Sequence, residues 1–144
     1  MGLGDAVDGT AVAKRARPGA TEWVLRALVA LALLGSAWVH LDLWLTGYRQ
    51  IDVIGPLFLV NVVAGVVIGI AIIAWRHWLP ALAAFGFGAA TLGAFVLSVT
   101  VGLFGTSNVF GGFHGFVEWF AAITEIVCIL GGGALLLRRD YRGA

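Results

Sequence analysis

The stretch GGFHGFVEWFAAITEIVCILGGGALLL, residues 111–137, decides how the chain is read. It is long and apolar enough to cross a bilayer as a helix. Within it stand three polar groups, His114, Glu118 and Glu125. At about 100° per residue, Glu118 lies roughly 40° and Glu125 roughly 20° around the helix from His114. All three share one face. Ionisable side chains within hydrocarbon are costly and turn toward a partner or a cavity, so the remaining sequence should supply the other walls of a site.

Composition points to the same solvent. Of the 144 residues, 60% are hydrophobic and 12% charged, against about 25% charged in a soluble domain. Three further apolar runs precede the opening stretch. The predicted helices are about 22–45, 55–75, 80–104 and 111–137, forming one all-α, four-helix transmembrane bundle. Residues 1–20 carry charges and small residues without an apolar period and read as a disordered tail. Thr21 followed by Glu22 resembles an N-cap with an acid in the first turn. A basic segment before an apolar run also describes a signal peptide, but here the run continues past Gly35-Ser36-Ala37 and three more spans follow. Gly47 ends the first helix, Pro56 suits the first turn of the second, and Thr106-Ser107-Asn108 forms the third–fourth turn.

Four spans put both termini on one side, and charge selects the side. Lys14, Arg15, Arg17, Arg26, Arg76, Arg138, Arg139 and Arg142 fall at one end of the bundle, and only Arg49 at the other; these are the 9 basic residues of the chain. The excess of Lys and Arg marks the cytoplasmic side, so both termini are expected in the cytoplasm and the protein in the cytoplasmic membrane. Trp23, Trp75, Trp78 and Tyr141 sit where a cytoplasmic aromatic belt belongs, with Trp44 and Tyr48 in the outer one.

Each helix carries a polar or small-residue stripe at helical spacing. The first has Arg26, Ser36 and His40; the second has Asn61, Gly65 and Gly69. The third has Ala84, Gly88, Thr91 and Ser98, and the fourth has His114, Glu118, Ala122 and Glu125. Counting about 1.5 Å per residue from the outer ends places His40, Asn61, Ser98, His114 and Glu118 in one layer, roughly 5–10 Å deep. Glu125 falls deeper, about 21 Å in, level with Thr91. A lone carboxyl there is less costly neutral than charged, which makes Glu125 with Thr91 a candidate proton carrier. The alternatives are a protonated Glu125 bonded to Thr91 in a structural role, or a Glu125–Arg26 ion pair.

His40, His114 and Glu118 could also bind a divalent metal, because imidazole and carboxylate suit zinc, iron or manganese. The bland counterpart is an interhelical hydrogen-bond layer that fixes register. Two histidines at one level are a poor signal for haem, and His77 reads as a solvated loop residue. The single cysteine, Cys128, excludes an internal disulfide and a CxxC pair; it reads as a small buried apolar residue. Nucleotide-binding and hydrolase motifs are missing, and Gly131-Gly132-Gly133 follows no strand. Nothing in the pattern suggests a nucleic-acid partner, whereas bilayer lipid, a second copy or another membrane protein fit.

The run His40-Leu-Asp-Leu-Trp-Leu-Thr-Gly-Tyr-Arg49, followed by Ile54-Gly55-Pro56-Leu-Phe58 and a Glu-bearing last helix ending in Leu-Leu-Arg-Arg, resembles small four-span membrane proteins of high-GC bacteria. That resemblance implies a fold and a membrane but no activity. Small multidrug transporters share size and span number but keep their essential Glu in the first helix, and this chain departs from that. The sequence therefore reads as a non-enzymatic structural or accessory membrane protein. The alternative is a small proton-coupled carrier or sensor, or a metal-binding protein, built on the polar layer and Glu125.

Overall fold

The computed structural model describes residues 19–104 and 115–138. The tail up to residue 18, the turn at 106–108, His114, Arg139 and Arg142 lie outside the described residues. Four helices follow in order: α1 Ala20–Thr46, α2 Ile54–Ala74, α3 Trp78–Thr100 and α4 Phe116–Leu137. A short 3-10 turn, Tyr48–Gln50, joins the first two. All four helices are long and apolar enough to span a bilayer. Their outward faces carry Leu31, Val63, Ile70 and Leu130, all more than half exposed. Water would not tolerate that much apolar surface, and lipid does. The chain is a multi-pass membrane protein with an all-α bundle fold.

α1 packs along both α2 and α4, α3 packs along α4, and α2 meets α3 over a shorter stretch. Glycines set the close approaches. A Cβ on Gly65 would lie 2.9 Å from the Leu33 carbonyl oxygen, so α2 rides on the backbone of α1. A Cβ on Gly88 would lie 2.6 Å from the Glu125 carbonyl oxygen, which seats α3 directly on α4. Small residues serve helix association in lipid by this route. The tightly packed core lies toward the basic end, where Val29, Leu33, Ile72, Ala81, Cys128 and Leu135 meet. Cys128 is free and fully buried there.

The helix ends depart from the sequence reading in three places. α1 begins at Ala20 with Gly19 as its N-cap and no side-chain cap bond, so Thr21 does not cap it. Its Glu22 is turned away to an ion pair instead. α3 stops at Thr100 rather than near residue 104, because Val101 and Gly102 both return their N–H groups to the Leu97 carbonyl. Gly102 adopts φ +83° in that turn, a left-handed C-terminal stop that glycine makes at no steric cost. His77, expected in a solvated loop, is the N-cap of α3: its Nδ1 accepts from the Leu79 N–H at 3.1 Å.

Candidate functional site

The half of the bundle away from Arg26 and Arg76 is hollow. A cavity of about 260 Å³ opens there, lined by all four helices. His40 from α1, Asn61 from α2, Thr91 and Ser98 from α3, and Glu118 and Glu125 from α4 all face it. The remaining wall is apolar, with Leu43, Leu57, Phe58 and Phe95 among its residues. The sequence separates an outer polar layer from a deeper Glu125–Thr91 level; the structure places both in one space. Helical spacing explains the assembly. In lipid, polar and small residues turn inward, and Arg26, Ser36, His40, Gly65, Gly69, Gly88, Thr91, Ser98 and Glu125 are all buried.

His40 is held from its own helix. Its Nδ1 lies 2.8 Å from the Ser36 carbonyl oxygen and 3.4 Å from the Ser36 hydroxyl. A carbonyl can only accept, so Nδ1 carries the proton and donates. That leaves Nε2 as a bare acceptor on a residue that lines the cavity. The Phe58 ring meets the imidazole edge-on, with centroids 5.2 Å apart, and fixes its plane.

Thr91 does not bond Glu125. Its hydroxyl donates to the Phe87 carbonyl of the previous turn at 2.8 Å. Nor does Glu125 pair with Arg26, which is engaged at the opposite end. Glu125 is 2% exposed, and its Oε2 has no hydrogen-bond partner among the described residues.

Glu118 occupies the third position of α4, and its carboxyl folds back over the N-cap Gly115. A glutamate there can satisfy the free N–H groups of a first turn, yet its Oε2 is also buried without a partner among the described residues. Tyr48, in the turn after α1, stacks at a tilt on Phe58 at 5.3 Å. Burial first, and the Glu118 carboxylate second, push the Tyr48 phenol above its ordinary pKa. Phe58 and Glu118 thus line the cavity, with Tyr48 packed against Phe58 from the turn after α1.

The basic end holds a second constellation, which the sequence reading did not anticipate. The Arg76 guanidinium donates from Nε and Nη2 to the two Glu22 oxygens. Arg26 donates from Nε to the Ile72 carbonyl at 2.7 Å and from Nη2 to the Ile73 carbonyl at 2.6 Å. A cation at the free carbonyls of a helix C-terminus meets the negative end of the helix dipole. Arg26 also lies 4.7 Å from the Trp23 ring centre, a cation–π distance. The available signal was Glu22 and Arg26 at i and i+4; the partner Arg76 could come only from the fold.

Among the described residues, no group of three His, Cys, Asp or Glu side chains is placed to hold a metal. Of the set His40, His114 and Glu118, the structure brings His40 and Glu118 to one cavity, and His114 lies outside the described residues. No protein-family model, curated protein or solved structure matches the chain.

Proposed function

We propose that this membrane protein is a small carrier or sensor that admits a ligand to its intramembrane cavity and uses Glu125 as the proton-exchanging group. The observation that carries this reading is the cavity itself, with a 2%-exposed carboxyl in its wall of which one oxygen has no partner among the described residues. A purely structural polar layer would satisfy its members with one another. Here Thr91 bonds its own helix and Glu125 keeps an oxygen without a partner among the described residues. A mostly apolar hollow with a few convergent polar groups is the usual form of a small-molecule site. An apolar cavity of about 150 Å³ is already large enough to take up benzene, and this one is larger.

Benzene uptake tests the reading. Benzene should raise the thermal unfolding midpoint of the purified protein in detergent, and Ala94→Phe, which fills the cavity from α3, should abolish the rise. A midpoint unmoved by benzene in the wild type would return the protein to the accessory, non-binding reading.

The orientation belongs to the same proposal. Of the described basic residues, Arg26, Arg76 and Arg138 lie at the Glu22–Arg76 end and Arg49 at the other, and the sequence flanking α1 and α4 carries five more, Lys14, Arg15, Arg17, Arg139 and Arg142; this charge bias supports a cytoplasmic placement of both termini in a cytoplasmic membrane. The cavity then belongs to the outer half of the bilayer. An impermeant thiol reagent applied to intact cells should label Arg49→Cys and spare Lys14→Cys; the opposite pattern refutes this orientation.

A further inference from the structure

We propose that the cavity takes a small organic cation, an apolar body bearing a protonated amine, and that the amine displaces the proton of Glu125. This rests on the cavity being a ligand site and adds the chemistry of the ligand. The wall sets two carboxyls and an imidazole nitrogen beside the donors of Asn61 and Ser98, and it carries no positive charge among the described residues. Three polar atoms on residues that line the cavity have no protein partner among the described residues: Oε2 of Glu125, Oε2 of Glu118 and the Nε2 that His40 presents once Nδ1 is bonded to Ser36. The Thr91 hydroxyl proton is already spent on the Phe87 carbonyl. Among the described residues no lysine or arginine lines the space, and Arg26 and Arg76 are both engaged at the far end.

An anion entering this cavity would meet carboxyls and no cation. A neutral apolar molecule would leave the buried acceptors unmet. An ammonium brings three N–H donors and no acceptor, which complements the wall. The rest of the lining is apolar, and Phe58 and Phe95 offer ring faces to a cation or its body. Glu118 and Glu125 are seven residues apart, roughly 10 Å along one helix face. Glu118 therefore meets the ligand at the outer end, and Glu125 receives it deeper.

The exchange balances without a further reactant. The Glu125 O–H bond breaks, its proton passes to water, and the carboxylate left behind holds the ammonium, so one positive charge enters as another leaves. The titratable groups that share the cavity with Glu125 are His40 from α1 and Glu118 from α4; α2 and α3 contribute Asn61, Thr91 and Ser98, none of them charged. Cys128 lies one turn further along α4.

Three probes of one shape separate the possibilities: phenethylamine as the cation, propylbenzene as its neutral counterpart and 3-phenylpropionate as the anion. Binding to the purified protein is measured by calorimetry in two buffers of different ionisation heat, which counts protons released. Phenethylamine should bind with about one proton released, and its affinity should rise about tenfold per pH unit while that release persists. Glu125→Gln should weaken it about ten- to hundredfold and leave propylbenzene binding unchanged; 3-phenylpropionate should not bind. The pH slope is read on the wild type and stands even if the variant fails to fold. Propylbenzene binding as tightly as phenethylamine, with no proton released, overturns the cation assignment while leaving the cavity a ligand site. Failure of all three probes to bind overturns both.

Discussion

Glu22 and Arg76, 54 residues apart in sequence, meet in a two-bonded ion pair of 2.7 and 2.9 Å that ties the start of α1 to the turn beyond α2. The Glu22 side chain is 2% exposed and that of Arg76 20%. Arg26 stands by as a second cation, 3.8 Å from the same carboxylate. Breaking a buried pair leaves a desolvated charge, and the second cation and the partial exposure of Arg76 keep the effect at the low end. Arg76→Ala should therefore lose about 3 kcal/mol of stability. Arg76→Lys should recover only part, because an ammonium cannot make the planar two-bond contact. Unfolding in detergent checks both, and a wild-type midpoint for Arg76→Ala would show that the pair does not hold the bundle together.

The number of spans and their inward faces were legible because lipid leaves few choices. A 20-residue apolar run must be a helix, and its polar and small residues must turn inward. Hence Arg26, Ser36 and His40 could be assigned to one buried face from spacing alone. The features that escaped depend on contacts distant in sequence. No local pattern pairs Glu22 with Arg76, and none shows that the Glu125 level and the outer layer open into one cavity. The early stop of α3 depends on one positive φ at Gly102, where the apolar sequence itself continues. His77 reads as solvated because it stands in the loop between two spans, yet its Nδ1 reaches the Leu79 N–H as an Asn oxygen would.

That cap yields a modest, separable prediction. His77 stands between Trp75, stacked at 4.5 Å, and Trp78 at 5.6 Å, so its ring is positioned for the bond to Leu79. His77→Ala should destabilise the protein by about 1 kcal/mol, and His77→Asn should restore most of it. An alanine variant as stable as the asparagine variant would mean that the bond to Leu79 contributes nothing to α3.

The α3–α4 contact predicts opposite outcomes for two glycines on one helix. A Cβ on Gly88 would meet the Glu125 carbonyl at 2.6 Å and the Cys128 Cβ at 2.9 Å, whereas a Cβ on Gly86 meets nothing within 4 Å. Gly88→Ala should lose about 1–3 kcal/mol through overpacking. Gly86→Ala should be neutral or gain up to about 1 kcal/mol from helix propensity. Since Gly88 bears on the Glu125 backbone, its alanine variant should also weaken ligand binding in the cavity, while Gly86→Ala should not. Equal stability of the two variants would contradict this close seating of α3 on α4.

Glu125 gives the most direct test of the site. Its carboxyl is buried in the apolar span, and among the described residues one of its oxygens has no partner and no basic side chain lines the cavity beside it. Holding a charge there would require desolvation on the order of several kcal/mol, which taking up a proton avoids. An amide has nearly the shape of a neutral carboxyl, so Glu125→Gln should fold with a stability change within about 1 kcal/mol. Glu125→Ala should lose more, because it enlarges a space that is already hollow. At pH 7 the infrared spectrum of the wild type should contain a protonated-carboxyl band that disappears in Glu125→Gln and persists in Glu118→Gln. Adding phenethylamine should bleach that same band as the proton leaves. A spectrum without the band at pH 7 would mean that Glu125 is ionised, and with Arg26 committed to the Ile72 and Ile73 carbonyls the counter-charge would have to come from outside the described protein.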